Sequence, residues 1–216
     1  MRLKIKFHPY YLMTGVYVLV SMILGMILSD GLVIFLGWNI ILATLVFVMS
    51  KIIHNQYQNN VKKVYLIILC GIYVLLFPNT IYVLTDFIHF QNYHFFIDYP
   101  NTYALQVSDW LVYGHIVIGA LYATKLGVTS LENINILFKS YHIKFYYLGL
   151  SFLFLLSSLG IYIGRFLRFN SWNVLKFFDI IKEVFSQGIF MLYFVLIFFV
   201  IHWTSYFLLK EYYKKT

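Results

Sequence analysis

The sequence is short of charge. Asp, Glu, Lys and Arg make up 11% of its 216 residues, against about 25% in an ordinary soluble domain. Hydrophobic residues make up 62%, and mean hydropathy is +0.79. A chain this apolar cannot clothe a water-facing surface, which excludes a soluble enzyme, a DNA-binding domain and a disordered protein. Its single cysteine, Cys70, lies in an apolar run. No intrachain disulfide or cysteine-based zinc cluster can form, and Cys70 reads as a small buried hydrophobe. There is no Gly-rich phosphate loop and no His-Glu-x-x-His. Long linkers and internal repeats are missing too, which removes support for an inverted-repeat transporter. The basic start, Met1 to Lys6, and the apolar run after it suggest a secretory signal. No small-x-small site follows Leu28, however, and the run is too long for an h-region, so an uncleaved first membrane helix is expected.

What is present is a series of apolar runs. Six reach the roughly 20 residues that a spanning helix needs: Tyr10–Leu28, Leu32–Met49, Val64–Leu84, Leu105–Thr124, Phe145–Gly164 and Gly188–Leu209. The expected fold is all-α, a single integral membrane bundle over residues 1–216 with the lipid bilayer as its first partner. The net charge of +8 comes from lysines in short clusters between runs, which fits a topology signal and not nucleic-acid binding. With the N-terminus in the cytoplasm, 12 of the 16 cations fall inside, and the exceptions are Arg165, Arg168, Lys176 and Lys182. Six of the eight acids fall outside or near the outer surface. Both termini are therefore expected in the cytoplasm.

Two stretches break the apolar pattern. The third run contains Pro78, which removes a backbone hydrogen bond and should kink the helix. Counted from Asn79, Tyr82, Asp86 and His89 lie three, seven and ten residues on. On a helix continuing past the proline they share one face. Asp and His at this spacing can share a proton, pair, or bind one metal ion; equally, Asp86 could cap a turn with His89 merely interfacial. The fifth run ends in Gly160, Gly164, Arg165, Arg168, Asn170, Ser171 and Trp172. The two glycines permit close approach of another helix. The arginines lie one turn apart and suit forked contact with carboxylate or phosphate, or could snorkel to water. Trp172 is a natural interfacial anchor. Residues Val174–Gln187 then read as an amphipathic helix lying on the membrane surface.

Asp109 lies near the outer start of the fourth run and could join Asp86 and His89. His115, about 9 Å deeper along the helix, reads as a packing histidine. Asp98 to Asn101 reads as a turn. Ser157 and Ser158 are expected to bond their own backbone and not to act as nucleophiles.

Pro78-Asn79-Thr80-Ile81-Tyr82 with Asp86 and His89, and Gly164-Arg165 with Arg168 and Asn170-Ser171-Trp172, together resemble a bacterial membrane family labelled domain of unknown function thirteen-sixty-one. The resemblance implies a multi-pass protein of the bacterial cell membrane. In that pattern a second proline often stands where this chain has Ile81, and an acid where it has Asn173. Three functions stay open: an outer-face site binding or processing an anionic lipid or envelope intermediate, a scaffold without chemistry, and a small-solute or proton-coupled transporter. In the first, Asp86, His89 and Asp109 would supply acid/base or metal-ligand groups. Asn79, Tyr82, Arg165, Arg168, Asn170 and Trp172 would bind. The sequence assigns no cofactor and no particular metal.

Overall fold

The structure is a computed structural model that describes residues 8–98, 102–138, 143–167 and 188–211. Helix α1 runs Pro9–Leu28, with Pro9 in the first turn and His8 capping the Tyr10 N–H. It ends at Ser29, whose φ of 52° turns the chain. Asp30 follows at once and caps the Leu32 N–H at 2.9 Å, starting α2, Gly31–Gln58. The first two spans are thus a tight helical hairpin.

Helix α2 and helix α5, Val107–Ile134, are 28 residues each. At about 1.5 Å per residue each outruns a hydrocarbon core of about 30 Å. The apolar runs predict shorter helices, ending at Met49 and Thr124, because hydropathy falls at Lys51 and Lys125. The helices continue because the polar residues beyond find partners between them. Asn133 Nδ2 donates to Ser50 Oγ at 2.9 Å, and His54 Nδ1 meets the Asn133 carbonyl at 2.8 Å.

The third span is interrupted. Helix α3, Lys63–Leu76, stops before Pro78, α4 is the single turn Asn79–Tyr82, and a 3₁₀ helix follows over Val83–Asn92. The expected kink is present, but the α-helix expected as far as Leu84 is not. Two side chains cover the carbonyls loosened at the break. Asn79 Nδ2 donates to Leu76 O and the Thr80 hydroxyl to Phe77 O, both at 2.8 Å. Ten residues of 3₁₀ winding is long for this geometry. Beyond it a small antiparallel hairpin, β1 Phe96–Asp98 and β2 Thr102–Tyr103, flanks the expected turn. It is the only sheet among the described residues, so the all-α class stands.

Helix α6, Ile143–Phe166, and helix α7, Gly188–Leu209, complete six helices long and apolar enough to span. The amphipathic helix expected at 174–187 lies outside the described residues. Helices α2 and α5 hold the core. Val33, Leu36, Ile40, Val112 and Ile116 pack on one side of it, and Val46, Tyr73, Phe77, Phe154 and Tyr206 on the other. Helices α1 and α7 leave most of their surface outward, including Leu19, Ile23, Leu196 and Val200, as lipid-facing helices do. Lys125 Nζ donates to the last α7 carbonyl, Leu209 O, at 3.1 Å and to the carboxylate Oε1 of Glu211, beyond the helix, at 3.1 Å.

Glycines seat the broken segment. A Cβ on Gly160 would stand 2.8 Å from Pro78 Cγ, and one on Gly127 would stand 2.7 Å from Thr80 Cβ. The close approach expected of Gly160 is therefore made with the kink itself. We predict that Gly160→Ala and Gly127→Ala each lower stability by about 1–3 kcal/mol through overpacking. Gly71→Ala, with nothing within 4 Å, should be neutral. Thermal melts in detergent, followed by tryptophan fluorescence, test this; equal midpoints for all three variants would contradict the packing.

Candidate functional site

The site is built on the 3₁₀ segment. Its tighter winding places Tyr82 and Thr85 one turn apart, and Asp86 and His89 one turn apart, as two adjacent rows. Opposite them stands Arg165 in the last turn of α6, where a cation also suits the helix dipole.

Arg165 joins the rows. Its Nη2 donates to Asp86 Oδ1 at 2.5 Å, and its Nε donates to Thr85 Oγ1 at 2.8 Å. Nη2 also reaches Thr85 Oγ1. Nη1 lies 3.5 Å from His89 Nε2, and the guanidinium carbon sits 4.8 Å from the centre of the Tyr82 ring. Thr85 donates its hydroxyl hydrogen to Tyr82 O at 2.6 Å, which leaves its lone pairs for the arginine. Helix α2 supplies the last partner, as Asn39 Nδ2 donates to Asp86 Oδ2 at 2.9 Å. Asp86 is 1% exposed, whereas the Arg165 side chain is 18% exposed. Both carboxylate oxygens are engaged, and the guanidinium is the member of the pair that meets the surroundings.

Of the residues singled out in the sequence, the structure gathers Tyr82, Asp86, His89 and Arg165. Asn79 does not join them, since its amide is turned back onto Leu76 O. Asp109 accepts the His94 N–H at 2.8 Å and the Ser108 hydroxyl at 3.2 Å. Those contacts belong to the loop near Tyr93, whose hydroxyl donates to Asp30 Oδ2 at 2.7 Å. Burial, and then the Asp30 carboxylate, push that phenol well above its ordinary range. Arg168, Asn170 and Trp172 lie outside the described residues. Arg165 stands between Asp86 and His89 and bonds toward both. Among the described residues, no group of three or more His, Cys, Asp or Glu is gathered as for a metal ion.

Two participants went unnamed in the sequence. Asn39 had a signal, as an amide deep in the apolar run Leu32–Met49. Thr85 had none, because an α-helical count from Asn79 passes over it.

The other buried polar groups pack helices. His115 meets Ser21 Oγ at 2.8 Å, and its ring stacks on Tyr17 at 4.3 Å. Ser158 donates to Phe154 O at 2.8 Å, as expected of a membrane serine. Ser157 instead crosses to α7, where its hydroxyl lies 2.9 Å from His202 Nε2. The His202 Nδ1 lies 2.7 Å from Phe198 O. Both residues are enclosed, Ser157 at 1% and His202 at 3% exposure, so this serine–histidine contact joins α6 to α7 and is closed to a substrate.

Six spanning helices in one bundle, tied near one end by a buried ion pair, define a multi-pass helical membrane protein. The family described as "Protein of unknown function (DUF1361)" matches residues 38–205, and the chain belongs to that family. The matched stretch includes all six members of the Arg165 cluster. No curated protein and no solved structure matches the chain.

Removing one member of a buried pair strands the other, at a cost of roughly 3–5 kcal/mol. We predict a loss of this size for Asp86→Ala, which leaves the guanidinium unpaired, and a comparable loss for Arg165→Ala. The double variant should cost clearly less than the sum of the two. Chemical or thermal unfolding in detergent measures the cycle; additive losses would show that the two side chains do not interact.

Proposed function

We propose that this protein binds the oxyanion of a lipid headgroup or lipid-linked envelope intermediate at the outer boundary of the bacterial plasma membrane, with Arg165 as the contact. The observation that carries the reading is the asymmetry of the pair. Asp86 is enclosed and bonded through both oxygens, while the Arg165 side chain keeps partial exposure and one Nη1 hydrogen outside its contacts among the described residues. Among the described residues its contacts use four N–H groups, and a guanidinium has five. A cation held this way needs no reorganisation to meet an anion, and its remaining N–H, on Nη1, gives an oxyanion a charge-assisted hydrogen bond. In this reading Asp86, Asn39 and Thr85 position the arginine and do not touch the ligand. Arg168, three residues further along the sequence, stays a candidate contact on the strength of its charge alone.

The outer placement rests on the lysine distribution. With Cys70 replaced by serine, a cysteine at Gln91 should react with an impermeant maleimide in intact cells. One at Asn59 should react only after lysis. The reverse pattern would invert the topology.

A second reading has its own support. Asp86 connects α2, the 3₁₀ segment and α6, as a purely structural tie would in a scaffold. Native mass spectrometry separates the two. Protein released from nanodiscs of mixed phosphatidylglycerol and phosphatidylcholine should retain the anionic lipid, and Arg165→Lys should retain about fivefold less, since an ammonium cannot keep the Thr85 and Asp86 contacts and also present a fixed donor to the anion. Soluble glycerol phosphate distinguishes a lipid site from a free-phosphate site. Equal retention by the two proteins, both folded, would favour the scaffold.

A further inference from the structure

We infer that His89 is a second contact for the bound anion, one that works when the imidazole is protonated, so that anion binding takes up a proton. The inference rests on the reading that Arg165 meets an oxyanion, and it adds the regulation of that site.

The geometry is specific. His89 Nε2 faces Arg165 Nη1 at 3.5 Å, at the long limit for a hydrogen bond. With nothing between them, the contact works only if Nε2 accepts, which places the imidazole hydrogen on Nδ1 and leaves the ring neutral. Protonation turns Nε2 into a donor aimed at another donor, beside a permanent cation. An oxyanion at this edge reverses the sign, because it accepts from both nitrogens and screens the two charges. Anion and proton therefore each favour the other's binding, as linkage requires.

Groups from several segments surround this contact. Arg165 faces His89 from α6, Asp86 belongs to its own 3₁₀ segment, and Tyr82 ends α4 just before it. Asn39 from α2 donates to Asp86. Asp86 is enclosed, with both oxygens engaged, so it does not replace the ligand at the Nη1 edge. His89 is half-buried.

The test uses the full chain in nanodiscs with phosphatidylglycerol as the probe, because its phosphodiester does not titrate near neutrality. Lipid retention is measured at about pH 8 and about pH 5.5, the range over which an imidazole changes charge. Wild type should bind about fivefold to tenfold more tightly at the acid end. His89→Gln keeps a neutral acceptor and should stay at the weaker, alkaline level at both values. Arg165→Lys reports the underlying site. If binding depends on Arg165 but the pH profile is the same in wild type and His89→Gln, the role of His89 is overturned and the anion site stands. If no binding depends on Arg165 at either pH, both fall. Melting curves of each variant keep a folding defect from passing as a binding loss.

Discussion

A carboxylate inside a membrane bundle is tolerated only if its charge is answered there. Asp86 meets that condition with one full cation and one amide, Arg165 on one oxygen and Asn39 on the other. Those two partners come from α6 and α2, so satisfying Asp86 fixes how three segments stand relative to one another. Much of the local architecture follows. The 3₁₀ winding presents Thr85 beside Asp86, and Gly160 and Gly127 let α6 and α5 close on the broken helix. Pro78 lacks the N–H that would bond Val74 O, and α3 ends just before it.

Charge pairing and surface access are divided between the two ends of the same interaction. The acid is enclosed while the base keeps an open edge. That division turns a structural ion pair into a candidate binding element, because the cost of organising the guanidinium is met within the protein. Two other buried polar pairs, His115 with Ser21 and His202 with Ser157, lack this asymmetry. Each is closed on both sides and serves to hold helices together.

The six helices and four members of the site were legible in the sequence, for two physical reasons. Runs of apolar residues long enough to span a bilayer have no other use in a chain with so few charges. Charged residues that survive near such runs need a local reason, and Asp86 and Arg165 proved to be each other's. What escaped followed from local geometry and not composition. Thr85 joins because winding after Pro78 is 3₁₀, a change in pitch that an α-helical count does not register. The extra length of α2 and α5 escaped because hydropathy marks where lipid ends, whereas the helices end where Ser50, His54 and Asn133 run out of partners. Asn79 was drawn onto the polar face by spacing, but the break at Pro78 gives its amide a nearer acceptor in Leu76 O.

The claim on which the rest depends is that Asp86 and Arg165 touch across the interface between the 3₁₀ segment and α6. Solid-state NMR of the protein in bilayers can measure this directly, by dipolar transfer between the Asp86 carboxyl carbon and the Arg165 guanidino nitrogens. A cross-peak that disappears in Asp86→Asn/Arg165→Lys is the predicted result. Resolved signals from both side chains with no transfer between them would contradict the account.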